Sequence, residues 1–154
     1  MTDIAADDIK YDRLLWLAAG LSAIAGIVHL VVSPQYLDLW WGYGFFFICA
    51  GVAQIAYALA IFVRPLMAES AEPFDDARSS AMRKVYLAGA AGNAAIIALY
   101  IITRTVGIPL VGPAANIVEP VTPVSLMTTA AELILVVILL RLARQSAASD
   151  VGAS

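Results

Sequence analysis

The sequence predicts an all-α integral membrane protein, a four-helix bundle with both termini in the cytoplasm. Three observations lead there. Of the 154 residues, 62% are apolar and 14% charged, where soluble domains carry roughly 25% charge, and the mean hydropathy is +0.86. Four apolar runs bounded by charge or proline approach the roughly 20 residues that a hydrocarbon core about 30 Å thick demands. The cations gather on one side of those runs. A soluble domain of this size has too much surface for its volume to hide so many apolar side chains. Composition therefore excludes a soluble enzyme, a nucleic-acid-binding domain and, with Cys49 the only cysteine, a disulfide-stapled scaffold.

The chain, 1–154, reads as one membrane domain. The first span covers about 14–32 and stops at Ser33-Pro34, and the second, 40–63, stops at Arg64-Pro65. The third covers 85–103, and the fourth, 122–140, is opened by Pro123, whose missing N–H has no partner in a first turn anyway. In lipid the backbone must satisfy its own hydrogen bonds, so each run is helical. Short loops rich in cations stay cytoplasmic, and Lys10, Arg13, Arg64, Arg78, Arg83, Lys84, Arg141 and Arg144 fall on one side with Arg104 alone on the other. Tyr36, Trp40, Trp41 and Tyr43 then lie at the outer interface, where amphipathic rings are favoured. The first helix is not read as a secretion signal, because Asp3, Asp7, Asp8 and Asp12 stand where a basic segment would be needed.

The linker 64–84, with Glu69, Glu72, Asp75 and Asp76 ahead of Arg78, Arg83 and Lys84, reads as a solvated cytoplasmic segment with one amphipathic turn near Phe74. The outer loop 104–121 differs. It mixes Gly107, Pro109, Gly112, Pro113 and Pro120 with Ile108, Leu110, Val111, Ile117 and Val118, which suits a stiff cap on the bundle. Helices in lipid associate through small residues. Ser22 and Gly26, Ala88 and Gly92, and Ala50, Gly51, Ala53 and Ala56 are read as packing surfaces. Cys49 has no second thiol to work with, so it too is assigned packing.

A polar side chain at membrane depth is costly and is a functional hypothesis by default. A rise of about 1.5 Å per residue places Asn93 and Glu132 near the midplane, each roughly 13 Å from the start of its span. They are expected to meet through a direct or water-mediated hydrogen bond, either as a structural clasp with a neutral carboxyl or as a proton or cation site. His29, read as roughly 6 Å below the outer end of the first span, is expected in a different place. There it borders an outer pocket with Tyr43, Tyr100, Arg104, Glu119 and Met127 under the loop, able to bind a small anion or polar headgroup. A competing expectation pairs Arg104 with Glu119 in a closed salt bridge that pins the loop. No cofactor is expected. A copper alternative would use His29 and Met127, with Glu119, because imidazole and thioether suit that metal, although no spaced ligand motif accompanies them.

Two stretches carry a resemblance: His29-Leu30 through Pro34 with Leu37 and Trp40-Trp41-Gly42-Tyr43-Gly44, and Tyr100-Ile101-Ile102-Thr103-Arg104-Thr105-Val106-Gly107-Ile108-Pro109. They resemble small four-helix membrane proteins of actinobacteria and archaea, a likeness that implies a fold and no activity. In size and helix count alone the chain is also similar to the DoxX-like membrane proteins, some of which are subunits of quinol-oxidising complexes. The function expected from the residues is that of a non-enzymatic multi-pass protein of the cell membrane. It would be a subunit or accessory component whose small-residue faces engage a membrane-protein partner or another copy of the chain. The spans hold few ionisable groups, and a proton relay needs several. The alternative is a redox, small-solute or proton-transport element using the outer His29, Arg104 and Glu119 site. The bilayer is the one partner that composition requires, and nucleic acid is not expected.

Overall fold

A computed structural model describes residues 2–68, 76–108, 112–113 and 115–152. Glu69, Glu72, Phe74 and Asp75 of the linker, and Pro109, Leu110 and Val111 of the loop, lie outside the described residues. Among those described the chain is helical without strands: α1 (Thr2–Leu39), α2 (Trp41–Ala68), α3 (Asp76–Thr105) and α4 (Pro123–Gly152). All four are long and apolar enough to cross a membrane. They run up and down, so Trp40 and the segment 106–122 share one end, here the loop end, opposite the terminal end that carries residues 2, 68, 76 and 152.

One boundary differs from expectation in a way that matters. The first helix does not stop at Ser33-Pro34 but continues through Pro34 to Leu39. Proline has no N–H to give the carbonyl four residues back, which here belongs to Leu30. The Ser33 hydroxyl donates to that oxygen instead, at 2.8 Å. With the orphaned acceptor satisfied, the helix gains seven residues, or about 10 Å at 1.5 Å per residue.

The packing is a ring with a seam. α1 lies against α2 and α4, and α3 lies against α4, while α2 and α3 do not close on one another along their lengths. Midway along the spans the α1 and α2 backbones meet at two glycines: a Cβ on Gly26 would stand 2.8 Å from the Gly51 carbonyl oxygen, and one on Gly51 would stand 2.8 Å from the Gly26 oxygen. On α1 the buried side follows Leu15, Ala18, Ser22, Ala25, Gly26, His29 and Ser33, the three- and four-residue spacing of one helix face. Toward the terminal end the core is apolar and tight, built from Leu15, Ala18, Ala19, Ile61, Ala90, Leu135, Leu139 and Leu142 around Tyr86.

The glycine crossing makes a direct test. Gly26→Val puts methyl groups into backbone that cannot yield, whereas Gly20→Val meets nothing within 4 Å. Reversible unfolding in mixed micelles is expected to show Gly26→Val destabilised by about 1–3 kcal/mol, with Gly20→Val unchanged or slightly more stable.

Candidate functional site

One side chain from each helix meets at the centre of the bundle: His29 from α1, Gln54 from α2, Asn93 from α3 and Glu132 from α4, all buried. The hydrogen bonds assign every atom. The Gly89 carbonyl can only accept, so the contact at 2.9 Å fixes the Asn93 amide nitrogen as donor and leaves its Oδ1 facing Gln54. The Gln54 nitrogen donates to Asn93 Oδ1 at 3.0 Å and to Glu132 Oε1 at 3.1 Å. Gln54 Oε1 therefore faces His29, and the imidazole donates to it through Nδ1 at 2.8 Å. His29 Nε2 is left 3.6 Å from Glu132 Oε1. A single proton decides whether that last pair is carboxyl facing imidazole or carboxylate facing imidazolium. The Ser22 hydroxyl, one helical turn and more from His29 on the same face, donates to the Gln54 backbone oxygen at 2.8 Å and holds α2 in register.

This geometry revises two expectations. Asn93 and Glu132 do face the interior, but Gln54 stands between them and bonds both. His29 joins them rather than the outer pocket. Because α1 runs on to Leu39, His29 lies ten residues from its end, about 15 Å along the axis by the helix rise, which is the level of Asn93 and Glu132 rather than the rim. Gln54 is the residue that reading by charge passes over. It carries none, yet it is the only amide or acid in the second span, and an uncharged amide in hydrocarbon needs partners as a charged group does.

The remaining outer residues form a separate group at the loop end. Arg104 Nη1 pairs with Glu119 Oε2 at 2.8 Å and donates to the Thr103 hydroxyl at 2.6 Å. The Tyr36 hydroxyl donates to the same Glu119 oxygen at 3.2 Å, and the guanidinium lies over the Tyr100 ring with its carbon 4.7 Å from the centroid. The loop is built to bring Glu119 here. α3 ends at Thr105 and is capped by Gly107, whose positive φ of 75° suits glycine and whose N–H turns back to the Ile102 oxygen. Returning chain is then tied alongside by Asn116 N to Ile108 O at 2.9 Å and Glu119 N to Thr103 O at 2.9 Å. Tyr43 is buried under the same loop, beneath Gly112 and against Trp40.

Phe47 separates the two groups. Its ring stacks on Tyr36 at 4.2 Å and lies 5.5 Å from the His29 ring, so the expected pocket is divided into a rim and a core. Met127 borders neither: it is 73% exposed, and five residues along α4 turn it about 140° away from Glu132. The copper set of His29 with Met127 is thus not assembled, and among the described residues no three His, Cys, Asp or Glu side chains gather as metal ligands. A third polar group sits at the terminal end, where Arg64 Nη1 donates to the hydroxyls of Tyr11 and Tyr86, themselves 2.9 Å apart.

Gln54 is the hub, with three side-chain bonds across helices. At roughly 0.6 kcal/mol per interhelical bond, Gln54→Leu is expected to cost about 2 kcal/mol. Micelle unfolding should show it more damaging than Asn93→Leu, which removes one interhelical bond; an equal or smaller loss would contradict the hub.

No protein-family model, curated protein or solved structure matches this chain.

Proposed function

We propose that this chain is a multi-pass protein of the cell membrane whose working part is a proton-exchanging site at the centre of the bundle. The observation that carries the reading is the buried approach of His29 Nε2 to Glu132 Oε1 at 3.6 Å, with both side chains oriented by Gln54 and Gln54 in turn by Asn93. An ionisable pair inside a membrane is retained at a cost in stability, and an all-apolar core would pack four helices without it. The few ionisable groups in the spans favoured a purely structural accessory subunit on sequence grounds. Gln54 weakens that objection, because it links the imidazole, the carboxyl and Asn93 into one connected unit.

The site is not a through-channel. Between it and the Arg64, Tyr11 and Tyr86 group lie the packed side chains of Leu15, Ile61, Leu135 and Leu139, and the Ser22 and Tyr57 hydroxyls on that side are committed to backbone oxygens. On the loop side the Phe47 and Tyr36 rings link it in succession to Glu119. Exchange is accordingly assigned to the loop side. The cations at the terminal end favour the cytoplasm for it, and on that reading the loop side faces outward.

Infrared spectroscopy of the protein in lipid nanodiscs tests the site. A carboxyl band assigned through its loss in Glu132→Gln is expected to shift on transfer to deuterated buffer, and His29→Leu is expected to slow that exchange at least tenfold. A Glu132 band indifferent to His29→Leu would leave the structural subunit as the better reading. Orientation is tested separately: in a Cys49→Ala background, Ser80→Cys should react with an impermeant maleimide only after cells are opened, and labelling of intact cells would reverse the topology.

A further inference from the structure

The seam between α2 and α3 contains a crevice of about 340 Å³, at the small end of the roughly 300–1,000 Å³ usual for ligand pockets. Its walls are Ala50, Ala53, Ala88, Gly92 and Ile96, and at its back stand Gln54 and Asn93. Ala53, Ala88 and Gly92 are exposed, and a Cβ on Gly92 would meet nothing within 4 Å, so the crevice opens sideways at the depth of the polar quartet. The helices touch across it through side chains, with the Gln54 amide on Asn93 and the Tyr57 hydroxyl donating to the Val85 oxygen at 3.2 Å.

The quartet is thus closed toward the terminal end by apolar packing, roofed at the loop end by Phe47 and Tyr36 under the Arg104–Glu119 pair, and open to the side. Hydrogen-bond capacity remains where it opens. Asn93 commits one amide N–H to Gly89 and its oxygen to Gln54, which leaves the second N–H for a partner. Gln54 has spent both of its own. Asn93 lines the crevice, and an amide donor in hydrocarbon is costly unless an acceptor comes to it, water being scarce there.

We propose that the α2–α3 crevice binds a membrane-dissolved lipophile through a carbonyl oxygen that accepts from Asn93, with the apolar body between Ala53, Ala88 and Gly92. The ligand enters from the bilayer, not from either aqueous face. This deepens the reading of the quartet as a working site and rests on it for a purpose, although binding itself does not require proton exchange.

Benzophenone, a lipophilic ketone that forms covalent adducts on illumination, is the probe. With the full chain in nanodiscs, adducts mapped by mass spectrometry are expected on residues 50–57 and 88–96 at least fivefold above those on the exposed Ile24, Leu133 and Val137. Gly92→Leu, which fills the opening where there is room, should bring them down to that background. Excess fluorenone should protect the crevice, while fluorene, of the same shape without the carbonyl, should not. Even labelling around the bundle or equal protection by both compounds would overturn the proposal, as would a stable dimer whose crevice is labelled only after the chains are separated, which gives the crevice to a second copy. Deuterium exchange of the Glu132 carboxyl in the same wild-type preparation reports on the quartet independently. Labelling without exchange removes the proton reading alone, and exchange without labelling removes the ligand alone.

Discussion

The bond from the Asn93 side chain to the Gly89 carbonyl sets the polarity of everything at the bundle centre. A helix carbonyl is the one partner in the network whose role is not negotiable. Once it takes the Asn93 amide, each subsequent amide must present its oxygen and nitrogen in a determined order, until the Nδ1 proton of His29 is assigned and Nε2 is turned to Glu132. Hydrocarbon enforces this chain of assignments, because no water is at hand to repair a wrongly turned group. An isolated pair on two helices would tolerate either orientation. A unit drawn from all four does not, which makes the same contacts an alignment device for the helices and a means of fixing the histidine tautomer.

How much of this was legible in the sequence depended on what kind of quantity each feature is. Helix number followed from run length and charge, since the bilayer imposes both, and the shared level of Asn93 and Glu132 in the bundle followed from the constant rise of a helix. His29 was misplaced for a local reason. Proline after serine reads as a stop, but the Ser33 hydroxyl replaces the missing bond to Leu30, and the seven residues so gained carry His29 from rim to core. Gln54 escaped because its importance is relational: three partners on three other helices give an uncharged amide its role, and no spacing along one chain encodes them. The Arg104 and Glu119 pair was readable, being close in sequence and confined to one end.

The three polar groups along the bundle are unequal because their surroundings are. At the terminal end Arg64 lies against the Tyr11 and Tyr86 rings and donates to both hydroxyls, so ring faces and hydroxyl oxygens hold a cation there. At the loop end Arg104 has a carboxylate, a hydroxyl and a ring, yet its buried Nε has no hydrogen-bond partner. Such a group is held by the loop rather than by its own full satisfaction, and the left-handed turn at Gly107 with the Glu119 to Thr103 backbone bond supplies that hold. The quartet between them relies on neither interface, and every member is fixed by another member or by a helix backbone.

The crevice follows from the same packing that aligns the quartet. Gly26 and Gly51 let the α1 and α2 backbones approach until a single methyl would not fit, and the Ser22 hydroxyl clasps the Gln54 carbonyl a turn away. α2 is thereby drawn toward α1 at the level where α3 would otherwise meet it. At the level of the crevice the long side chains of Gln54 and Tyr57 bridge the remaining gap to α3, and the small residues between them leave it unfilled. Tight contact on one side of α2 and open space on the other are therefore one arrangement: a bundle that closed the seam would have to give up the glycine crossing that brings Gln54 to His29.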